Sequence, residues 1–390
     1  MTDTRLMTIN MGPQHPATHG VLRLVLELDG EVVVKATPHL GYLHRGVEKL
    51  SESLTYNQSL TMTDRLDYTN ALSNNLAYCL AVERLMDLDI PKRAQYLRVL
   101  FAELQRIAAH LLWIATHALD LGAMTLLFYA FRDREKIMDI IEEVSGARLT
   151  PSFIRVGGLA SEMPPAFYKK VRDFIEDCPG RIEEYETLLT KNIIWCMRTK
   201  GISPISAASA VNYGVTGPVL RASGVNYDVR KAFPYSSYNE FDFEIPLGTK
   251  GDVYDRYLVR LEEMRQSLRI VKQALEGLPE GPIKCDSPLV SPPDKKDVGQ
   301  DIAALIRHFK ISSEGFTPPP GEAYASVESP KGELGFYLIS DGTNKPYRMR
   351  IRPPSFINLA ALPEMIEGQM VADVVAAIGS IDIVLGEIDR

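Results

Sequence analysis

Leu22, Leu24, Leu26 and Leu28 fall on one side of the stretch "VLRLVLELDGEVVVKA", and Arg23 and Glu27 fall on the other. A period of two marks a half-buried strand. The pair Asp29-Gly30 that follows is one a tight type I′ turn favours, because both of its central residues need positive φ, so a hairpin is expected here. From about Ser51 the period lengthens. Leu66, Leu72, Leu76, Leu80 and Leu85 recur at helical spacing, and in "PKRAQYLRVLFAELQRIAAHLLWI" Leu97, Leu100, Leu104, Ile107 and Leu111 form one stripe. Arg98, Glu103 and Arg106 are expected to wet the first half of that helix; beyond them the polar side disappears, which predicts entry into the middle of a bundle. A third helix is predicted over 252–275, with Tyr254, Tyr257, Leu261, Met264, Leu268, Val271 and Leu275 in a 3–4–3–4 rhythm. That rhythm suits an exposed coiled coil, but so much apolar surface needs a partner, which favours a place in the same bundle.

Pro, Asp and Lys crowd 284–299, and "TPPPGEA" (317–323) is a second break; both read as loops. Between them "QDIAALIRHF" is helical, and after them come three strand-like runs in "ASVESPKGELGFYLISDGTNKPYRMRIR". There is no internal repeat. The expected class is α+β, mainly α: a large helical core between a small N-terminal and a small C-terminal β region, closed by a terminal helix. The corresponding division is 1–50, 51–281 and 282–390.

Composition narrows the function. The chain has 390 residues, 45% hydrophobic and 24% charged, which suits a protein with a large core. A net charge of −7 argues against nucleic acid or anionic lipid as the main partner. The four cysteines, Cys79, Cys178, Cys196 and Cys285, form no C-x-x-C pair, so no zinc or iron–sulfur ligand set is visible, and their separation suits a reducing compartment. The opening "MTDTRLMTIN" lacks the apolar stretch of a secretory leader. The run 110–131 is long enough to span a membrane but contains His110, His117 and Asp120. A charge at the bilayer centre costs at least ~2.5–3.5 kcal/mol, so a helix buried within protein is the preferred reading.

No phosphate-binding glycine loop and no G-x-S-x-G elbow is present, so electrons for any redox chemistry must come from a neighbour. Ionisable groups instead cluster early. "MGPQHPATHG" (11–20) sets His15 and His19 four apart, but Pro16 between them and the glycines around them make this a stiff loop rather than one face of a helix. His39 and His44 follow, then "TDRLDY" with Asp64, Arg65, Asp67 and Tyr68, and Asp120 interrupts the apolar helix. Four histidines could bind a metal, although their spacing matches no known ligand set; backbone-bonded imidazoles, a core tyrosine and a carboxylate paired to a nearby cation are the plainer readings. Arg348, Arg350 and Arg352 alternate on one strand face, either as a solvated face or as a docking strip for an acidic partner.

Six stretches taken in order, "MGPQHPATHG", "PHLGYLHRGVEK", "SGVNYDVRKAFPY", "GDVYDRYLVRLEEMRQS", "KGELGFYLISDG" and "GSIDIVLGEIDR", resemble the 49-kDa-type family, the D subunits, of respiratory complex I, the proton-pumping NADH:quinone oxidoreductase. The resemblance runs from the first strand to the last residue. It implies a fold like that of the nickel–iron hydrogenase large subunit, to which the family is related. The hydrogenase metal is held by two C-x-x-C pairs, and the segments set against them here, near "DRLDY" and "SIDIVLG", contain no cysteine. The resemblance implies that a quinone headgroup enters instead, between this chain and the small subunit that carries the last [4Fe–4S] cluster. It places the quinone-ligating histidine on His19 and the quinone-ligating tyrosine on Tyr68. The carboxylate partnered with that histidine falls on Asp120 and Arg65 lies over the cluster; His15 and His39 are the further candidates for cofactor binding.

The resemblance further implies that no cofactor is bound by this chain alone and that FMN and NADH bind elsewhere in the complex. The expected partners are subunits B (the small one with the terminal cluster), C, I (with two clusters) and H (in the membrane), together with the quinone and without nucleic acid. The expected location is the cytoplasmic face of the bacterial inner membrane, as a peripheral protein. Two alternatives stay open: a hydrogenase-like large subunit of a related membrane-bound complex, and a subunit of a ferredoxin-linked plastoquinone reductase. One departure is that a family histidine near the terminal cluster is replaced by Thr150 in "RLTPSFIRVGG", so its role in linking cluster reduction to protonation is not carried over.

Overall fold

Helix Lys92–Asp120 runs through the centre of the molecule in the computed structural model, which describes residues 6–390. The first five residues of the opening stretch, on which the leader reading partly falls, lie outside that range. Helices Met124–Ser145 and Val253–Glu276 pack against the central helix, and Pro165–Leu189 packs against both of these. Leu97, Leu100, Leu104 and Ile107 are fully buried, as the stripe requires. Asp252 caps Val253–Glu276 by accepting the Asp255 N–H (2.8 Å). Tyr257, Leu261, Met264 and Val271 on that helix are buried in the bundle core, not in an exposed coiled coil.

Among the described residues Lys92–Asp120 is the one helix long and apolar enough to cross a membrane, with a mean hydropathy of 1.2 over its best window. However, 89% of that window is buried inside the protein, which is what a core helix shows. The apolar run 110–131 is not continuous: the chain turns at Leu121–Ala123, with Gly122 at φ 91°, and a new helix begins at Met124. Asp120 therefore ends a helix and does not interrupt one.

Arg98, Glu103 and Arg106 do not face water. All three are buried. Arg98 forms a two-pronged pair with Glu83 (2.6 and 2.9 Å). Glu103 accepts from Arg106 Nε (3.1 Å), Arg230 Nη1 (3.1 Å), the Tyr238 hydroxyl (2.6 Å) and the Ser267 hydroxyl (2.6 Å). Arg221 bridges Glu263 (2.5 Å) and Glu328 (2.8 Å). Buried charge is tolerated only where partners satisfy it, and several of these partners come from segments far along the chain, which local periodicity cannot show.

Strands β1 (Met7–Met11), β2 (Arg23–Asp29) and β3 (Val32–His39) form an antiparallel sheet in that order. β1 is an addition to the expected hairpin: it pairs with β2 from Met7 opposite Leu28 to Met11 opposite Leu24. The "MGPQHPATHG" loop therefore joins two paired strands and is held at both ends. The β2–β3 turn also differs from expectation. Asp29 pairs with Val32, so the loop residues are Gly30 and Glu31, and Gly30 supplies the positive φ (62°). Leu22, Leu24, Leu26 and Leu28 are buried and share a second core with Leu362, Met365, Val374, Ile378 and Ile381 near the chain's end.

Between residues 47 and 85 the helical stretch is broken into Val47–Ser51, Tyr56–Thr63 and Ala71–Leu85. Thr55 and Gln58 form a reciprocal cap at the second start. Asp67 accepts from the backbone N–H (3.0 Å) and hydroxyl (2.7 Å) of Thr69, a local turn that competes with helix and leaves 64–70 non-helical. Strands β4 (Ile154–Arg155) and β5 (Gly158–Leu159) make a short ladder. Strands β6 (Gly321–Ser329), β7 (Gly332–Ser340) and β8 (Arg348–Arg352) form the C-terminal sheet, whose inner residues Val327, Phe336 and Leu338 meet helix Ala71–Leu85. Arg348 and Arg350 point outward, but Glu52 (2.8 Å) and Glu48 (3.2 Å) of the same chain engage them. Arg352 donates to the Glu333 carbonyl (2.6 Å). The strip is thus largely neutralised within the fold.

Candidate functional site

His19 and Tyr68 line one recess of about 300 Å³, together with Asp120, His117, Lys331 and Asp382. A larger concavity of about 860 Å³ runs beside helix Ile302–Ser313, but its walls mix apolar side chains such as Leu289, Ile306 and Phe316 with Arg307, Lys310 and Glu314 and hold no histidine or tyrosine. The recess is the candidate site because it gathers titratable groups from five separate segments.

The first segment is the β1–β2 loop. Pro16 opens a single 3-10 turn, Pro16–Thr18, where its missing N–H costs nothing. His15 caps that turn, its Nδ1 accepting the Ala17 N–H (3.1 Å). The Thr18 hydroxyl donates to the His15 carbonyl (2.9 Å). His19 ends the turn at φ 55°, a left-handed conformation held by its N–H to the Pro16 carbonyl (3.1 Å). Gly12 admits no side chain, since a Cβ there would lie 2.2 Å from the Leu22 carbonyl oxygen. The loop is fixed by its own hydrogen bonds, which presents the His19 ring to the recess. His19 stays open to solvent on the recess wall, and the partial desolvation of its ring, with Lys331 second, lowers its pKa. His19 is therefore a neutral imidazole at neutral pH.

Tyr68 comes from the 64–70 turn. It is 41% exposed and is not the core tyrosine of the plainer reading. Desolvation, then the Asp67 charge, raises its pKa, so the phenol keeps its proton. Asp120 is the last residue of the central helix, where a negative charge opposes the helix dipole. Partial burial raises its pKa, and the nearby charge acting against that rise is His15. No hydrogen bond joins Asp120 to His19 among the described residues. Arg65 is exposed on the same turn as Tyr68, and its carbonyl accepts from Arg45 (2.5 Å). His39 ends β3, exposed, and is not among the residues that line the recess.

Three groups of the recess, Lys331, Asp382 and His117, carry no signal of their role in the sequence. Lys331 sits in the β6–β7 turn, 1% exposed, at 3.4 Å from both Asp67 and Asp382. Its local signal is a lysine flanked by Pro330 and Gly332 between two strands, which marks a turn and not a buried cation. His117 is stacked on Trp113 (5.3 Å) with Trp195 edge-on (5.4 Å), and neither ring nitrogen has a hydrogen-bond partner. Its close approach needs Gly379, where a Cβ would lie 2.3 Å from Nδ1.

Burial, with Arg260 and Arg256 adding, pushes the His117 pKa down to about 3; burial likewise holds His110 to about 4, against the Glu263 bond. Unfolding frees both rings to bind a proton near their ordinary value of 6.5. Between pH 6.5 and about 4 the unfolded chain therefore binds more protons, and stability falls as pH falls. Each tenfold loss of proton affinity on folding is worth about 1.4 kcal/mol. The melting temperature should decline across that window; a flat profile from pH 6.5 to 4 would show that the two histidines are not held neutral.

Among the described residues no group of three or more His, Cys, Asp or Glu side chains is set to hold a metal ion. No cysteine lines the recess. The two segments set against the hydrogenase cysteine pairs do meet in space, through Asp67 and Asp382 around Lys331. Fold and site together define a mainly α, α+β protein with carboxyl, imidazole and phenol groups in one recess.

Comparison with known proteins narrows the class. Residues 120–390 match the family described as "Respiratory-chain NADH dehydrogenase, 49 Kd subunit". The chain is similar to the D subunits of bacterial NADH-quinone oxidoreductases. That of Geotalea uraniireducens is 60% identical over 390 residues and the whole of both chains. That of Geobacter sulfurreducens is 59% identical, again over the whole of both. The one numbered 2 in Chloroflexus aurantiacus is 57% identical over 99% of this chain and 95% of its own. The chain belongs to the 49 kDa subunit family of respiratory-chain NADH dehydrogenase, and is thus a subunit of an oxidoreductase complex.

Proposed function

We propose that this chain builds the headgroup site for a quinone in the peripheral arm of a proton-translocating NADH:quinone oxidoreductase, and that His19 and Tyr68 hydrogen-bond the two quinone oxygens. The observation that carries this reading is the meeting of a neutral imidazole and a protonated phenol, from separate segments, in one recess. A quinone has two carbonyl oxygens on opposite sides of its ring, and its reduction takes two electrons and two protons. Tyr68 has a proton to give. His19 offers an N–H to the other oxygen and is poised to exchange a proton as negative charge develops there. Asp120 lines the same recess and is the carboxylate assigned to partner His19, and the charge of His15 acts on it.

Electrons arrive from a [4Fe–4S] cluster held by the adjoining small subunit, with FMN and NADH further upstream. Arg65, exposed on the Tyr68 turn, faces that cluster and favours its reduced state. Subunits C, I and H complete the surroundings, on the cytoplasmic face of the bacterial inner membrane. The chain alone then has no NADH oxidation activity. Photoaffinity labelling of the assembled complex with a quinone analogue tests the site. Label is expected on the Pro16–His19 or Asp67–Tyr68 segments; label confined to other subunits would remove the site from this chain. Stoichiometric nickel in the purified chain would favour the hydrogenase-like alternative.

A further inference from the structure

Helix Ile302–Ser313 carries the apolar period that buries the other long helices, and here the stripe lies open. Ile302, Leu305, Ile306 and Phe309 fall at i, i+3, i+4 and i+7, on one face of the helix. All four are exposed, Ile302 by 75% and Phe309 by 67%. Leu289, which shares the neighbouring concavity with Ile306, is exposed as well. Ala304 is the one buried residue of the helix. In the central helix the same pattern puts Leu97, Leu100, Leu104 and Ile107 fully inside. A contiguous exposed apolar patch of this kind marks a surface that another molecule covers. The helix is also firmly held. Asp301 caps its start by accepting the N–H groups of Ala303 (3.0 Å) and Ala304 (3.2 Å). Beyond its end Asn344 Nδ2 donates to the Glu314 carbonyl (2.6 Å), and Phe316 stacks on Tyr56 (5.7 Å). The open face is therefore preformed, which spares a partner the cost of ordering it.

The concavity beside the helix sets the chemistry of the occupant. Ile306 and Phe316 form its apolar wall, and Arg307, Lys310 and Glu314 bring its charges. Two cations against one carboxylate leave it net positive within a chain of net charge −7. Among the described residues neither Arg307 nor Lys310 is in an ion pair, whereas Arg348 and Arg350 meet Glu52 and Glu48. The surface is thus complementary to apolar side chains flanked by carboxylates. A bilayer fits it less well: a flat surface meets the stripe but does not enter the concavity, and Asp294, Asp297 and Asp301 just before the helix repel anionic lipid. A second copy of the chain brings the same net charge of −7, so its approach is opposed by repulsion.

We propose that helix Ile302–Ser313 and the concavity beside it dock an amphipathic segment of another subunit of the complex, with apolar side chains on Ile302, Leu305 and Phe309 and carboxylates on Arg307 and Lys310. Membership of an oxidoreductase complex supplies such a partner, and the inference stands whether or not the recess takes a quinone. The stripe gives the spaced anchors by which helices are read in a groove. Burying it supplies affinity, while the carboxylate contacts steer the approach and fix the register.

Amide hydrogen exchange on the wild-type protein tests this without a variant. Exchange over 302–313 is expected to be slower in the assembled complex than in the isolated chain; equal exchange in the two overturns the proposal. The double variant Leu305→Glu/Phe309→Glu puts two charges on the open face and leaves the core alone. Its retention in the complex on dilution is expected to weaken ~10-fold or more, as loss of central apolar anchors does. Arg307→Glu/Lys310→Glu is expected to weaken retention at low salt, with the difference from wild type shrinking as salt screens it. Wild-type retention in the apolar variant overturns the proposal, and wild-type retention in the charge-reversed variant at low salt does so too, because the partner is then not acidic. Two controls on the isolated chain decide the other occupants. Binding to phosphatidylglycerol vesicles that Leu305→Glu/Phe309→Glu abolishes assigns the face to a bilayer, and a dimer that the same variant dissociates assigns it to a second copy; either result overturns the proposal. If a double variant does not fold, as its circular dichroism would show, the wild-type exchange measurement decides alone.

Discussion

Tyr68→Phe in the assembled complex largely abolishes NADH:quinone activity and spares NADH oxidation with an artificial acceptor that takes electrons upstream. Phenylalanine keeps the ring and its packing, and the hydroxyl it removes has no hydrogen-bond partner among the described residues, so stability should change little. What is lost is one bond to the headgroup, worth about 0.5–1.5 kcal/mol, and a proton donor whose absence costs on the order of 10² to 10⁴ in rate. His19→Ala should be less severe with short-chain quinones, because a water can stand in for a missing imidazole N–H. Measuring both activities on the same preparation decides the matter. If the two fall together in Tyr68→Phe, the tyrosine serves the fold and the donor assignment is wrong.

Glu103→Leu should cost about 3–5 kcal/mol of stability, the range for removing one partner of a buried ion pair. The Glu103 carboxylate is fully buried and receives two arginines, a tyrosine hydroxyl and a serine hydroxyl. These donors hold its pKa down to about 2 against the cost of burial. Leucine would leave Arg106 with its bond to the Glu328 carbonyl (2.6 Å) and no bonded carboxylate in the core, while Arg230 would keep Asp228 (2.6 Å). By contrast, breaking the exposed Lys35–Glu27 pair (3.6 Å) should cost about 0–1 kcal/mol. Denaturant midpoints of the two variants should differ plainly; equal midpoints would mean that the buried network adds nothing to stability.

Much of the architecture was legible because burial imposes a period. Leu22 to Leu28 marked the hairpin, and Leu97 to Ile107 and Tyr257 to Val271 marked two helices of the bundle; each pattern is local, and each residue lies where the pattern puts it. The resemblance carried the family, since ordered motifs along the whole chain are far more specific than any one of them. Local reading failed where the partner of a residue is remote. Arg98, Glu103 and Arg106 look like a wet helix face, and only segments up to residue 328 turn them into a buried network. Arg348 and Arg350 look like a free strip until Glu52 and Glu48 meet them.

The candidate site divides in the same way. His19 and Tyr68 were named by the family resemblance, and Gly and Pro marked the His19 stretch as a loop. That Lys331 and Asp382 stand beside them could not be read, since a two-residue turn and the end of a helix carry no record of what they face. The sequence alone determined the strongly periodic strands and helices, and the family, because these follow from local sterics, solvent exposure and motif order. Only the tertiary structure decided which charges are buried and what compensates them, because the energy of a buried charge depends on neighbours that chain order does not specify.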